Sequence, residues 1–436
     1  MTKRSKLLFP ARHLGSSELA ACLATLPMED VVVVLHERFH KLASGLPHAV
    51  VSSFDDLDTL THELARWAKQ QEIAWIGVLA IDDEERFGVS ALLAENLGIS
   101  FDLASSAPIA ANKYLQKLGF RREGVPTGDF TLLDAEADLK SDLLPYPNIL
   151  KLVTGSGSEF LMRNRDRDEL QLHLKQMREH ALAALDEDSR LQTFEHRSEG
   201  AQHTMEPSRH FLLEEWLEGE EYSCDFMYAG GEVSVLRVVR KLEGPFLGHF
   251  GGYHLLGRHS IEATFAPGGE KLNALCRGVA RALELKTDAL CMVDFKLHEG
   301  RMAVIESSIR PGFSTFLPLM HALRGYTPLS LFARWLLYRE PPPRTLPNGE
   351  ALVVHFFVPR AGIVRSIDRS GLDALRPSPS YLGERIYLSI GEEVSDSPVD
   401  HFDLLAGYLM VKDPPLEELE RFALSLQQSI RVEMGD

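Results

Sequence analysis

The chain has 436 residues, of which 44% are hydrophobic and 25% are charged. This length indicates about two to four folded domains. The formal net charge of −17 argues against a nucleic-acid or anionic-membrane binder, which would need a basic face. The four cysteines form no CxxC pair, and no apolar run is long enough for a signal peptide or a membrane span, so we expect a cytoplasmic protein with reduced thiols.

The first hundred residues alternate short apolar runs with helical patterns. This alternation predicts a parallel sheet covered by helices, and therefore an α/β N-terminal domain. Asp56 is the predicted N-cap of the first helix. The predicted strands are Lys6–Ala11, Val31–Leu35, His48–Ser52 and Ile73–Ala80, and the predicted helices are Asp56–Gln70 and Glu84–Leu97.

A second unit begins near Pro108, and the Pro341-Pro342-Pro343 run marks its end. We therefore expect domains at 1–107, 108–338 and 339–436, with the middle one divided into a small lobe (108–211) and a central lobe (212–338). The last domain is predicted to be a small α+β cap. The elements predicted after residue 107 are helices Ala110–Leu118, Leu272–Leu285 and Leu416–Arg431, strands Asn148–Val153, Leu212–Leu217 and Glu221–Tyr228, a turn at Gly230-Gly231 and a polar loop at Asp186–His210.

The stretch Val293–Gly312 sets one carboxylate into each of two apolar strands joined by a short polar turn. Asp294 and Glu306 would be close if they share a sheet face, and two ionised acids repel unless a cation lies between them. Mg²⁺ binds through one or two carboxylates together with substrate phosphates. The same pair also fits two solvent-facing acids on an edge hairpin.

Two further stretches suggest a nucleotide site. Lys151 precedes a Gly-Ser loop, Gly155–Ser158, whose backbone N–H groups could approach phosphate oxygens. The acidic stretch Leu212–Phe226 could serve as a hinge that contacts adenine and ribose. An ordinary loop and an ordinary acidic hairpin fit these stretches as well, and neither a Walker A nor a dinucleotide-binding glycine motif occurs in the chain.

The order of these pieces resembles the ATP-grasp superfamily over roughly residues 81–337. The series is Lys113 before a Gly-Val-Pro turn, Lys151 before the Gly-Ser loop, the E-E-W-L-x-G-x-E stretch, and two acids ahead of Ser-Ile-Arg. Among the subgroups, the chain is most similar to the carboxylate–amine ligases that join L-amino acids. The resemblance implies α+β ATP-grasp domains between the α/β N-terminal domain and the C-terminal cap.

The resemblance also implies roles for individual residues. Arg310 would stabilise phosphate or substrate carboxylate charge and would be catalytic together with Lys151. The residues that would bind ATP are Lys113, Lys151, Gly155, Ser156, Gly157, Ser158, Glu214, Glu215, Leu217 and Glu221, and those that would bind metal are Asp294, Glu306 and Ser308.

Four positions depart from the family pattern. Ser308 stands where an asparagine is expected as a metal ligand, which leaves open whether one or two ions bind. Met292 replaces a residue that often contacts substrate. The other two departures are Leu152, where proline is usual, and Asn112, where aspartate is common.

The implied reaction is activation of a carboxylate by ATP to an acyl phosphate, followed by attack of an amine. The implied cofactors are ATP and Mg²⁺, with Mn²⁺ as a substitute, and the implied partners are small carboxylates and amines, such as amino acids, in a homodimeric protein. His254, in a glycine-rich loop, is a candidate substrate contact, although such histidines are also often structural. Two alternatives stay open: a non-catalytic nucleotide-binding regulator, and a ligase that acts on a carrier-protein acceptor.

Overall fold

The structure is a computed structural model that describes residues 4–12, 14–80, 87–101, 103, 106–135, 143–155, 160–184, 194–198, 201–265, 269–395 and 402–435. The N-terminal part forms a parallel sheet with strand order β3-β2-β1-β4, which confirms the predicted architecture. Its elements are β1 (Arg4–Ala11), α1 (Ser16–Thr25), β2 (Val31–His36), α2 (His40–Ala43), β3 (Ala49–Ser52), α3 (Leu57–Gln70), β4 (Ile73–Val78) and α4 (Phe87–Leu97).

A second sheet, in the order β5-β10-β6-β7, has antiparallel neighbours throughout. We call this unit the small lobe. Its hydrophobic core joins the inner face of the sheet to α7, through residues such as Leu150 and Leu174. The elements from here to the central sheet are α5 (Ala107–Ala111), α6 (Lys113–Arg122), β5 (Phe130–Asp134), β6 (Asn148–Leu152), β7 (Met162–Asn164), α7 (Arg167–Ala184), β8 (Phe194–Ser198), β9 (Ala201–Met205) and β10 (His210–Glu215).

Two predictions for this region were wrong. The helix expected at Ala110–Leu118 is interrupted at Asn112, whose extended backbone ends α5 while its side chain accepts a hydrogen bond from Leu115 N–H at 3.1 Å and caps α6. The predicted loop Asp186–His210 contains the antiparallel hairpin β8–β9. Residues 186–193 and 199–200 of that stretch lie outside the described residues.

The central sheet has eight strands in the order β15-β14-β11-β12-β13-β16-β20-β18. Gly230 and Gly231 form the predicted turn between β11 and β12, both with positive φ. The elements from β11 onwards are β11 (Glu220–Ala229), β12 (Glu232–Glu243), β13 (Phe250–Leu255), α8 (Arg258–Thr264), α9 (Glu270–Ala282), β14 (Ala289–His298), β15 (Arg301–Ser308), α10 (Phe316–Arg324), α11 (Pro328–Tyr338), β16 (Ala351–Phe357), β17 (Gly362–Asp368), α12 (Ser370–Leu375), β18 (Tyr381–Ile386), β19 (Glu393–Val394), β20 (Leu405–Lys412), α13 (Leu419–Gln427) and β21 (Arg431–Gly435).

The C-terminal part differs from the expected cap in two ways. Three of its strands, β16, β18 and β20, extend the central sheet beyond β13, while β17, β19 and β21 form a separate three-stranded sheet. The final helix, predicted at Leu416–Arg431, is shorter because α13 ends at Gln427 and the chain then enters β21.

Hydrophobic cores lie on both faces of the N-terminal sheet and on the central sheet, and they connect these two parts of the protein. Apolar residues of α1 and α11 cover one face of the N-terminal sheet, and α3 and α4 cover the other. One face of the central sheet packs on α6 and α9, where the rings of Tyr222 and Phe295 stack at 5.7 Å. The opposite face of β11, β12 and β14 is polar at one end, with Glu221, Lys241 and Asp294, while its other end carries apolar residues such as Leu290 that join the core with α1 and α11. Among the helices that the structure describes, none is long and apolar enough to cross a membrane.

Candidate functional site

A cavity of about 990 Å³ lies between the small lobe and the polar face of the central sheet. Strands of both sheets contribute to its walls, as do the connection from β10 to β11 and the loop between β12 and β13. Sequence-predicted residues that line it are Lys113, Lys151, Gly155, Glu214, Glu215, Leu217, Glu221, Asp294 and Glu306. A cavity of this volume is large enough for a nucleotide.

The hairpin β14–β15 brings the two predicted metal ligands together. Asp294 and Glu306 are direct register partners, and the two-residue turn at Glu299-Gly300 has positive φ at both positions. A one-residue bulge between Asp294 and Phe295 shifts the register. Without it Glu306 would lie one position out of register and face the other side of the sheet, so the bulge creates the pair.

The two carboxylates have different electrostatic surroundings. Burial raises the pKa of the Asp294 carboxyl, and Lys241 offsets this only in part. Burial acts in the same direction on Glu306, but four cationic side chains outweigh it and lower its pKa to about 2. These side chains are Lys113, Lys151, Lys241 and Arg310. Glu306 is therefore the more readily ionised member of the pair.

Lys241, which no sequence motif indicated, lines the cavity. Its Nζ atom is 2.7 Å from Asp294 Oδ2 and 2.9 Å from Glu221 Oε1, so it links the predicted metal ligand to the predicted ribose carboxylate. Burial acts to lower the pKa of Lys241, but the carboxylates of Asp294 and Glu221 outweigh it and hold the pKa above its usual value. The lysine therefore carries its charge at neutral pH.

Lys151 and Glu214 form a buried ion pair at 2.7 Å, and a second lysine shares the carboxylate. That lysine is Lys117, 1% exposed, with Nζ 3.2 Å from Glu214 and within hydrogen-bonding distance of Thr127 Oγ1 and Val304 O. Burial lowers the pKa of Lys117 to about 8. The side chain of Glu214 is thus engaged with Lys117 and Lys151, and Lys117 connects α6 to the small lobe and to β15.

The connection from β10 to β11 forms another wall of the cavity. Glu215 is fixed to the turn before β5, because its N–H donates to Asp129 O at 2.8 Å and its Oε2 accepts from Asp129 N–H at 3.1 Å. The guanidinium of Arg163 stacks on the ring of Trp216 at 4.1 Å, and Leu217 lines the cavity. Contacts with Asp129 and Arg163 of the small lobe therefore fix this wall, and Leu217 faces the cavity.

Lys113 connects the pair of acids to the Gly-Ser loop. Its Nζ lies 3.6 Å from Glu306 Oε2 and donates a hydrogen bond to Gly155 O. Gly155 has φ of 93°, a conformation that favours glycine. Ser156, Gly157 and Ser158 lie outside the described residues.

Of the predicted site residues that the structure describes, three are not among those that line the cavity. Ser308 lies on β15 two residues after Glu306, opposite Met292, so it shares the face of the acid pair. Arg310 is half-buried after the end of β15, with its guanidinium 4.8 Å from the ring of Phe313.

His254 lies outside the lining of the cavity. Its Nε2 is 2.6 Å from Glu350, which also accepts from Ser260 at 2.5 Å, so the ring joins β13 to the chain just before β16. The histidine of this glycine-rich loop that does line the cavity is His249. Sequence spacing could not separate the two because the choice depends on the pairing of β13 with β16.

Buried polar contacts hold the Arg-Pro-Gly turn after β15. Arg237, fully buried, makes two 2.7 Å hydrogen bonds to Asp225, and Asp225 also accepts from Gly312 N–H at 2.9 Å. A Cβ at Gly312 would lie 2.6 Å from Arg237 Nη2. This position therefore needs glycine, and the pair fixes the segment that carries Arg310.

The acid pair could hold a hard divalent cation. Asp294 Oδ1 is buried and has no hydrogen-bond partner among the described residues, and Glu306 lies opposite. Within the same part of the chain, no group of three or more His, Cys, Asp or Glu side chains could hold a metal. Two carboxylates fit a hard ion that takes its remaining ligands from water and phosphate.

The sequence matches no protein-family model, and no curated protein matches it significantly. Solved structures resemble it over the full chain. L-amino acid ligase from Bacillus licheniformis is 18% identical with a TM-score of 0.72, over 100% of both chains.

Two further solved structures are similar. The biotin carboxylase domain of Hydrogenobacter thermophilus 2-oxoglutarate carboxylase, solved with MgADP, is 16% identical with a TM-score of 0.62, over 98% of this chain and 91% of the other. Carboxyaminoimidazole ribonucleotide synthase from Aspergillus clavatus, complexed with ATP, is 15% identical with a TM-score of 0.64, over 98% and 100%. The chain therefore shares its fold with these three structures.

Proposed function

We propose that the protein is an ATP-dependent carboxylate–amine ligase that joins amino acids through an acyl-phosphate intermediate. The observation that carries the proposal is the cavity between the two lobes. It gathers two lysines, a fixed hinge segment and a pair of acids that face each other, in the order expected along the chain. Each of these is a common feature of folded proteins. Together they could contact the adenine, the ribose, the phosphates and the metal ion of a magnesium–nucleotide complex.

ATP would lie along this cavity. The backbone of Glu215 and Leu217 would contact adenine and Glu221 the ribose, while Lys113 and Lys151 would contact the phosphates. The ion pair with Glu214 supports the role of Lys151, because it holds the ammonium in one place at the cavity wall. Gly155 and the rest of the Gly-Ser loop would cover the phosphates and exclude water.

Asp294 and Glu306 would hold Mg²⁺, or Mn²⁺ in its place, and Ser308 would be a weaker third ligand on the same strand face. The bound ion would neutralise phosphate charge during transfer. Arg310, held by the turn that Asp225 and Arg237 fix, would meet charge on the transferred phosphoryl group or the substrate carboxylate. His254, whose Nε2 lies 2.6 Å from Glu350, would be a substrate contact outside the cavity lining.

Amino acids are the substrates we favour because the L-amino acid ligase has a TM-score of 0.72, against 0.62 and 0.64 for the other two structures. The other two similar structures, by their names, belong to different carboxylating or ribonucleotide-forming enzymes. The residues that line the nucleotide cavity do not discriminate among these chemistries.

A non-catalytic, nucleotide-binding regulator is the second candidate. The observation that favours it is the weakened metal site, in which Ser308 replaces the expected asparagine and Lys241 already engages Asp294. Such a protein would bind ATP without turnover.

The test is Mg²⁺-dependent release of ADP with each standard amino acid and with pooled pairs. We expect ADP only when two particular amino acids are present, and its loss in Asp294→Asn. Glu299→Gln, at the exposed turn of the same hairpin, is the matched control and should keep the rate. ATP binding without ADP release from any mixture, unchanged in Ser308→Asn, would instead favour the regulator.

A further inference from the structure

The ammonium of Lys241 lies where positive charge is needed between two acids of the cavity. Nζ lies 2.7 Å from Asp294 and 2.9 Å from Glu221, and it is 4.6 Å from the centre of the Phe250 ring. The Lys241 side chain is only 9% exposed, and the two carboxylates are 10% and 18% exposed. Three groups at such distances in a poorly hydrated place are strongly coupled.

This contact determines which oxygen of Asp294 is open to a metal. Oδ2 accepts from Lys241, while Oδ1 is buried without a hydrogen-bond partner among the described residues. A divalent ion at Oδ1 would therefore approach a fixed ammonium that neutralises the same carboxylate. Repulsion between the two cations would weaken metal binding unless further negative charge arrived with the ion.

A nucleotide would bring that charge. Among the described residues, the cavity is lined by nine carboxylate side chains and six cationic ones. Free ATP would add its own negative charge to this excess, and a free divalent ion would meet Lys241. The magnesium–nucleotide complex avoids both conflicts because its charges largely compensate each other.

We propose that Lys241 is a positioning residue that holds Asp294 and Glu221 together in the nucleotide-free protein, so that a divalent ion binds at Asp294 and Glu306 only together with nucleotide. This inference rests on the proposed function for the identity of the metal ligands.

The test measures the affinity of Mn²⁺ alone, from the electron paramagnetic resonance signal of the free ion, with no nucleotide present. In the parent protein we expect weak binding. Lys241→Met removes the competing charge and should tighten Mn²⁺ binding by at least about tenfold. Lys296→Met is the matched control, because Lys296 lines the same cavity and lies 3.8 Å from Glu221 but has no ion pair with Asp294. Its Mn²⁺ affinity should stay within about twofold of the parent.

Lys241→Gln keeps a hydrogen-bonding side chain without the charge, and it replaces Lys241→Met if that variant does not fold. An unchanged Mn²⁺ affinity in the folded Lys241 variant would overturn the proposal, as would equal tightening in Lys296→Met. Tight binding of Mn²⁺ by the nucleotide-free parent would overturn it as well. Because no measurement here uses nucleotide or turnover, failure of the ligase assay and failure of this proposal are distinguishable.

Discussion

At the scale of single residues, the buried carboxylate of Glu214 forms ion pairs with two buried lysines at the cavity. It is 7% exposed and pairs with Lys151 at 2.7 Å and Lys117 at 3.2 Å. Burial acts to raise the pKa of Glu214, but the two lysines outweigh it and lower the pKa. One acid thus compensates two buried ammonium groups, which makes its removal more serious than removal of either lysine.

Glu214→Gln should lower the free energy of unfolding by about 3–5 kcal/mol, because it leaves two buried cations without an anion. Lys117→Met should cost no more than about 2 kcal/mol, from lost hydrogen bonds to Thr127 and Val304, since Lys151 and Glu214 remain a balanced pair. Urea unfolding at pH 7 without nucleotide measures both values. A larger loss in Lys117→Met than in Glu214→Gln would contradict this account.

The lysines also show what a single sequence can and cannot reveal. Lys113 and Lys151 could be predicted because each precedes a recognisable turn or loop. Lys117 lies one turn of helix after Lys113, and only the packing of α6 between two sheets gives it contacts with Glu214 and Val304. No local pattern distinguishes such a residue from a surface lysine.

At the scale of elements, two β-bulges decide which side chains meet in the cavity. In the hairpin β11–β12, counting from the Gly230-Gly231 turn would place Glu221 opposite Arg240. A bulge between Asp225 and Phe226 shifts the register by one residue, so Glu221 lies opposite Lys241. The strands themselves were predictable from their apolar residues and turns, whereas the bulges depend on contacts across the whole sheet.

The connection between β10 and β11 depends on a glycine. Gly219 has φ of 101°, and a Cβ there would lie 2.8 Å from His298 Cβ and closer still to the Leu297 carbonyl. Gly300, in the β14–β15 turn, has φ of 75° but open space around it. The two positions therefore share the left-handed backbone and differ in crowding.

Gly300→Ala should cost about 1–2 kcal/mol of stability from backbone conformation alone and leave nucleotide affinity unchanged. Gly219→Ala carries the same strain and also pushes the connection away from β14. It should therefore weaken nucleotide binding by at least about tenfold, or roughly 1.4 kcal/mol. Calorimetric titration with ADP and Mg²⁺, alongside urea unfolding, separates the two effects. Equal nucleotide affinities in both variants would show that the clash at Gly219 is relieved without moving the connection.

At the scale of the whole molecule, the excess of negative charge is the dominant electrostatic feature. The chain has 63 acidic residues against 46 lysines and arginines. Self-repulsion of such a charge opposes the compact state and is screened by salt. Protonation of solvent-exposed histidines as the pH falls towards 6 reduces this negative charge.

Raising NaCl from about 10 to about 200 mM at pH 8 should therefore increase the free energy of unfolding by about 1 kcal/mol, and by less at pH 6. Urea unfolding of the nucleotide-free protein at the four combinations of salt and pH measures this. An equal increase at both pH values would mean that salt stabilises the protein through exclusion from its surface and not through screening.

The extension of the central sheet by β16, β20 and β18 has a consequence for how this chain can change during evolution. Strand β13, which follows the loop that lines the cavity, obtains its outer hydrogen bonds from β16, and His254 is joined to Glu350. Exchange of the C-terminal part with that of a relative would replace the partner of β13 and expose or misalign a sheet edge. The C-terminal part is therefore not an independently transferable module, and its sequence and that of the cavity loop must diverge together.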